Sequence, residues 1–306
     1  MSRSQTGVLL GVLAALLWSP HFHTVMESLG RDTSVLVFHF YVVFWAAVAC
    51  LLALVVTGQT GALSVFRRQE TPVLLLALTG GYGLWLMRAL AIERGAGNPT
   101  HVDLLFYSAP LILGFLSIPQ RDGARAKQIV ALALGLVGCI MIASRPPTPA
   151  EAAGAGARSG GTLAALLAAG CWAVFALAAR PLVRREKLLP IGAVLWSVGA
   201  ACLLVTCLAT GDSILAISRK GILTSLLLGA GTVALGFGCW LKCLAHLPPA
   251  LAAPLWYLAV AFGVLWGYEP VTWWTAGGAA LIVVAVYFAS SGRERIEMTM
   301  SDLIRG

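Results

Sequence analysis

Runs of about twenty apolar residues recur along this chain, separated by short polar, glycine-rich or proline-rich breaks. A run of that length can cross the hydrocarbon core of a bilayer as a helix, because a helix satisfies its own backbone hydrogen bonds where water is absent. The breaks predict ten membrane-spanning helices, at residues 6–28, 33–57, 71–93, 98–118, 127–144, 160–183, 188–210, 221–245, 248–268 and 271–291. The predicted fold class is therefore an all-α membrane protein.

The composition agrees with this assignment and excludes other classes. Only 11% of the residues are charged and 59% are hydrophobic, whereas a soluble domain carries roughly 25% charged residues. The net charge of +8 is dispersed along the chain, so it indicates anionic lipid rather than nucleic acid as the counterpart. All seven cysteines fall inside apolar runs, so we expect no disulfide framework, no metal site and no cofactor.

Basic residues in the short loops predict the orientation, since cytoplasmic loops carry an excess of Lys and Arg. With the N-terminus inside, thirteen basic residues are cytoplasmic: Arg3, Arg67, Arg68, Arg121, Arg125, Lys127, Arg180, Arg184, Arg185, Lys187, Arg293, Arg295 and Arg305. Six are then outside: Arg31, Arg94, Arg145, Arg158, Arg219 and Lys220. We therefore expect a multi-pass protein of the cytoplasmic (inner) membrane, with both termini in the cytoplasm.

The two halves of the chain resemble each other at one offset. Residues 13–18 (LAALLW) align with residues 167–172 (LAAGCW), and residues 88–91 (RALA) align with residues 242–245 (KCLA), both 154 positions apart. This predicts a five-helix repeat at 1–149, a linker at 150–161 and a second five-helix repeat at 162–306. Because five is odd, the second repeat must be inverted in the membrane, an arrangement typical of secondary transporters.

Three segments carry a resemblance to a known family: LLWSPHF at the end of the first predicted helix, ALAIERGAGNPTHVDLLFYSAPL in the third and fourth, and CLAHLPPALAAPLWYLAV in the eighth and ninth. In these segments the chain resembles the EamA-type, ten-helix branch of the drug/metabolite transporter (DMT) superfamily. The resemblance covers nearly the whole chain. It implies a central cavity lined by helices one to four and six to nine, with helices five and ten at the periphery.

Aromatic residues are the first candidates for substrate binding. Trp18 and Trp172 occupy equivalent positions about halfway along their helices, although tryptophan usually prefers the membrane interface. They either form aromatic walls of a substrate cavity or fill the helix packing. Tyr82, Tyr107 and Tyr257 could line the same cavity, and core packing is the alternative for each.

Charged residues inside predicted helices are the second group of candidates, since a charge at the centre of a membrane helix costs about 2.5 to 3.5 kcal/mol. Arg88 and Lys242 can contact the substrate, or extend their side chains to the lipid headgroups. Asp103 lies at a matching depth across the predicted turn from Arg88, so the two can form an ion pair or a gate. Lys242 has no such partner in the aligned position of the second half.

Histidines and glycines complete the set. His21 and His39 could couple transport to protons, or serve as polar packing residues. The motifs Gly7-x-x-x-Gly11 and Gly135-x-x-Gly138 allow helices to approach closely. Such contacts could lie within the chain or between the protomers of a homodimer.

Together these features predict a secondary active transporter that exports a small organic metabolite, such as an amino acid, by alternating access. Two alternatives stay open, an intramembrane channel and an integral-membrane enzyme without a recognisable catalytic motif. The sequence contains no G-x-S-x-G, H-E-x-x-H or P-loop motif, so we expect no enzymatic activity. The expected partners are a small-molecule substrate and the lipid bilayer.

Overall fold

Ten helices account for nearly all the regular secondary structure that the computed structural model describes, which covers residues 3–19, 34–60, 70–94, 105–117, 124–144, 160–184, 187–266 and 271–291. In chain order they are α1 (Arg3–Trp18), α2 (Val35–Val56), α3 (Glu70–Arg94), α4 (Ala109–Ser117), α5 (Ala124–Ala143), α6 (Gly160–Val183), α7 (Leu188–Thr210), α8 (Arg219–His246), α9 (Pro249–Trp256 and Leu258–Leu265) and α10 (Trp273–Ser291). Each of these helices overlaps one of the ten predicted spans.

The helices are apolar on their outer faces as well as in the core. Five of them, α2, α3, α6, α7 and α8, are long and apolar enough to cross a membrane, and α1, α5, α9 and α10 contain shorter apolar stretches. Large apolar side chains such as Val56 and Leu227 are exposed, which is unfavourable in water and favourable in lipid. These observations confirm the all-helical membrane fold.

Two helices contain a π-helical segment. The segment lies at Ala77–Gly83 in α3 and at Leu228–Gly236 in α8, and both segments are rich in glycine. A π turn carries one more residue than an α turn would, so it changes the direction of the side chains that follow it. In both helices the α-helical geometry resumes directly after a glycine.

The halves of the chain pack together reciprocally. From the first half, α3 packs against α6 and α7, and from the second half, α8 packs against α1 and α2. The π segments take part in both sets of contacts. In the first set, a Cβ atom on Gly81 would lie 2.5 Å from the backbone oxygen of Leu195. The absence of a side chain there lets α3 and α7 approach closely.

Helices α5 and α10 form a pair of their own. Gly138 and Gly278 face each other where these helices cross, since a Cβ atom on either would meet the carbonyl oxygen of the other at 2.5 to 2.6 Å. Gly135 packs under the ring of Tyr257. Likewise, Gly11 of α1 packs against Leu255. These glycines therefore serve contacts within the chain.

Candidate functional site

Four tryptophans form a cluster in the middle of the bundle. Trp18 packs against Trp240 and Trp256, with ring centroids 5.5 and 4.5 Å apart, and Trp172 packs against the same two rings at 5.3 and 3.7 Å. All four side chains are buried. The two tryptophans predicted from the sequence are therefore linked through a second pair that the sequence analysis did not single out.

A central cavity lies on one side of this cluster. It is lined by Trp18, Leu84, Trp85, Arg88, Phe106, Tyr107, Thr232, Phe237, Trp256 and Ala259. These residues come from α1, α3, the segment before α4, α8 and α9, so both halves contribute walls. The lining is mainly aromatic, as expected for a site that binds an apolar or aromatic ligand.

Among the described lining residues, Arg88 is the one that carries a charge, and that charge is positive. Its side chain is 5% exposed, and its guanidinium carbon lies 5.4 Å from the centroid of the Phe106 ring. This distance allows a cation–π interaction, which stabilises a guanidinium removed from water. Arg88 is therefore a buried cation beside an aromatic wall, in a place where it can meet an anionic group of a ligand.

His39 lies close to this cation but does not line the cavity. It is fully buried in α2, and its Nδ1 atom is 2.8 Å from the backbone oxygen of Val35, its hydrogen-bond acceptor. Its ring is 5.7 Å from that of Trp85, and it interacts electrostatically with Arg88. Within the described part of the chain, Nε2 has no hydrogen-bond partner. Full burial and the neighbouring Arg88 both disfavour a charged imidazole, so proton coupling through His39 stays a prediction.

The three candidate tyrosines occupy different surroundings. Tyr107 lines the cavity. The hydroxyl of Tyr82 lies 3.0 Å from that of Thr206, which itself donates to the backbone oxygen of Cys202, so Tyr82 is the donor that connects α3 to α7. Tyr257 is fully buried at the break in α9 and packs on Gly135 of α5. Of the three, the structure brings only Tyr107 to the cavity.

The remaining candidates lie elsewhere. Trp172 is fully buried behind Trp256 and does not reach the cavity surface. Lys242 is exposed on α8. This position favours the alternative considered for it, a side chain that extends to the lipid headgroups. His21 and Asp103 lie outside the described residues, so the Arg88–Asp103 pair stays a prediction.

Sequence reasoning missed several lining residues, and some of them carried a signal. Trp85 precedes Arg88 by three positions, so the two share a face of α3. Phe237, Trp240, Leu241 and Leu244 follow helical spacing as an apolar stripe that excludes Lys242, so this pattern could have marked Phe237 as inward-facing. Trp256 lies in an apolar run without such a pattern. Thr232 donates a hydrogen bond of 3.0 Å to the backbone oxygen of Leu17, which joins α8 to α1 beside the cavity.

Comparison with known proteins agrees with this architecture. Residues 159–291 match the sequence model of the EamA-like transporter family. The match lies in the second half of the chain. This match confirms the resemblance seen in the sequence, is consistent with membership of the DMT superfamily, and suggests a DMT-type transporter.

The fold of the whole chain also has a counterpart. A solved structure described only as "Crystal structure of protein" superposes with a TM-score of 0.75 at 22% sequence identity, covering 96% of this chain and 99% of the other. At that identity the likeness concerns the fold alone. A comparison with curated proteins returned no match.

Proposed function

We propose that this EamA-like protein is a secondary transporter that exports a small organic metabolite through the central cavity by alternating access. The observation that carries the proposal is the cavity itself, since its walls come from helices of both halves. A site at the junction of two mobile halves can open to either side of the membrane in turn.

The chemistry of the lining favours an amphipathic solute. Rings of Trp18, Trp85, Phe106 and Trp256 offer stacking surfaces, while Arg88 offers a cation for a carboxylate. The buried Nε1 of Trp18 has no hydrogen-bond partner in the described part of the chain, so it is a further donor for a ligand or a water molecule. An amino acid with an aromatic side chain fits these features, and we propose that class of substrate.

Transport in liposomes tests this proposal. Purified protein should exchange a labelled aromatic amino acid against an unlabelled pool, and Trp85→Leu should lower that exchange about tenfold or more if the ring contributes at least 1.4 kcal/mol to substrate binding. The matched control is Trp196→Leu, because Trp196 is as buried as Trp85 but does not line the cavity. Equal losses of exchange per folded protein would contradict the assignment of the cavity. Rapid flux without exchange would instead favour a channel.

The orientation and the inverted repeat belong to the same proposal. We propose that both termini are cytoplasmic, and the reciprocal packing of α3 and α8 with the opposite halves supports an inverted relation between repeats. In a background without native cysteines, a membrane-impermeant thiol reagent added outside should label Gly154→Cys and spare Arg185→Cys. The reverse labelling would overturn the orientation.

A further inference from the structure

A second cavity lies between the end of α4, the end of α6 and the start of α9. Its empty space is about 560 Å³, including the part that opens toward solvent, and its lining consists of Ser117, Leu177, Arg180, Pro181, Arg184 and Pro249. None of these residues lines the central cavity. In the proposed orientation this second cavity faces the cytoplasm.

Two arginines dominate the chemistry of the second cavity. Arg180 lies in the last turn of α6 and Arg184 directly follows the helix, four residues later, and their like charges interact. Arg184 donates from Nε to the backbone oxygen of Ala245 at 3.4 Å. The Nε atom of Arg180 is buried and has no hydrogen-bond partner within the described residues. Two neighbouring guanidinium groups, one with an unsatisfied buried donor, are stabilised when an anion binds between them.

The other lining groups fit the same interpretation. The hydroxyl of Ser117 donates to the backbone oxygen of Leu113 at 2.6 Å, so among the described lining residues the two arginines are the side-chain donors that remain. Pro249 is the first residue of α9, and the start of a helix carries partial positive charge. The charged groups among the described lining residues are therefore positive.

We propose that the second cavity binds a phosphate group, held by Arg180 and Arg184. A guanidinium fork matches two oxygens of an oxyanion. A phosphate group has enough oxygens to accept hydrogen bonds from both guanidinium groups. A carboxylate has only two oxygens, which a single guanidinium group already satisfies. The phosphate can come from an anionic lipid headgroup of the cytoplasmic leaflet or from a phosphate-bearing solute. The assignment of this cavity to the cytoplasmic leaflet rests on the orientation given under the proposed function, whereas the phosphate site itself does not.

Thermal unfolding of the full-length protein in detergent tests the site without any transport measurement. One arm titrates inorganic phosphate at constant ionic strength set with chloride, and the other titrates phosphatidylglycerol against phosphatidylcholine in mixed micelles. We expect a saturable rise in Tm, because a ligand that binds the folded state stabilises it. Arg180→Gln and Arg184→Gln should each raise the apparent Kd about tenfold or more, since each removes one guanidinium group and its charge-assisted hydrogen bonds to the phosphate.

Lys187→Gln is the matched control. Lys187 is exposed just before α7 and does not line the cavity, so its substitution removes the same charge and should leave the Kd unchanged. Arg180→Lys keeps the charge but removes the fork, and it should bind more weakly than the native protein. If Arg180→Gln does not fold, Arg184→Gln serves as the test, because Arg184 is exposed.

The outcomes separate the sources of the phosphate. An arginine-dependent shift with phosphatidylglycerol alone identifies a lipid site, and one with inorganic phosphate identifies a solute site. The proposal is overturned if neither probe raises Tm, or if the shifts are equal in the native protein and the two Gln variants. The transport proposal would be untouched by that result, since it depends on the central cavity.

Discussion

The contact between Gly236 and Trp18 provides a sharp test of how the central cavity is built. Gly236 ends the π segment of α8, and the indole of Trp18 packs directly on it. A Cβ atom at position 236 would lie 2.8 Å from Nε1 and 3.1 Å from Cδ1 of that indole. Ordinary contact begins at 3.4 Å, so the ring would have to move by about 0.6 Å. Because Trp18 lines the cavity, we expect Gly236→Ala to change both stability and the cavity.

The size of the effect follows from two opposing terms. Overpacking in a tight core costs about 1 to 3 kcal/mol, whereas replacing a helical glycine with alanine gains roughly 0.5 to 1 kcal/mol. Gly231→Ala isolates the second term, because Gly231 lies in the same π segment and a Cβ atom there would meet nothing within 4 Å. Gly236→Ala should therefore be less stable than Gly231→Ala by about 1 to 3 kcal/mol.

Equilibrium unfolding in mixed micelles measures this difference, and substrate exchange in liposomes measures the change in KM. Combining Gly236→Ala with Trp18→Phe should recover part of the lost stability, since phenylalanine lacks the Nε1 atom that the new methyl group meets. Equal stabilities of Gly236→Ala and Gly231→Ala would show that the indole does not pack on α8 as described. Additive losses in the double variant would lead to the same conclusion.

Three further predictions concern polar groups. Because loss of one partner leaves a buried charge uncompensated, Arg88→Leu or Asp103→Leu alone should cost about 3 to 5 kcal/mol while the double change is milder; additive losses of unfolding free energy would exclude the ion pair. Tyr82→Phe and Thr206→Val should show a coupling of about 0.6 kcal/mol, and at most about 1.7 kcal/mol, in a double-mutant cycle. Lys242→Gln should leave Tm nearly unchanged because Lys242 is exposed, and a large drop in Tm would reveal a structural contact.

The placement of the described helices could be predicted from the apolar runs and the breaks between them. Polar, glycine-rich and proline-rich breaks end each apolar run, and the cost of unsatisfied backbone groups in lipid leaves the helix as the structure of the run. The predicted span 160–183 coincides with the bounds of α6, and 188–210 with those of α7. The run of charged residues at 184–187 separates the two apolar runs in the sequence and marks both boundaries.

The direction of each side chain could not be predicted in the same way. In a soluble helix an apolar stripe marks the inward face, but here lipid and core are both apolar, so Trp172 and Trp256 look alike in the sequence. The structure places Trp256 on the cavity wall and Trp172 behind it. Arg88 was recognisable because a buried charge is costly in any apolar surrounding.

The π segments explain how the two halves supply matching walls. Leu84 and Trp85 come directly after the π segment of α3, and Phe237 comes directly after that of α8. All three residues line the cavity. Since a π turn contains an extra residue, each segment redirects the helix face that comes after it. The same segments pack against the second helix of the opposite half. A rearrangement of one half would therefore act on the cavity wall of the other, which is the coupling that the proposed alternating-access mechanism requires.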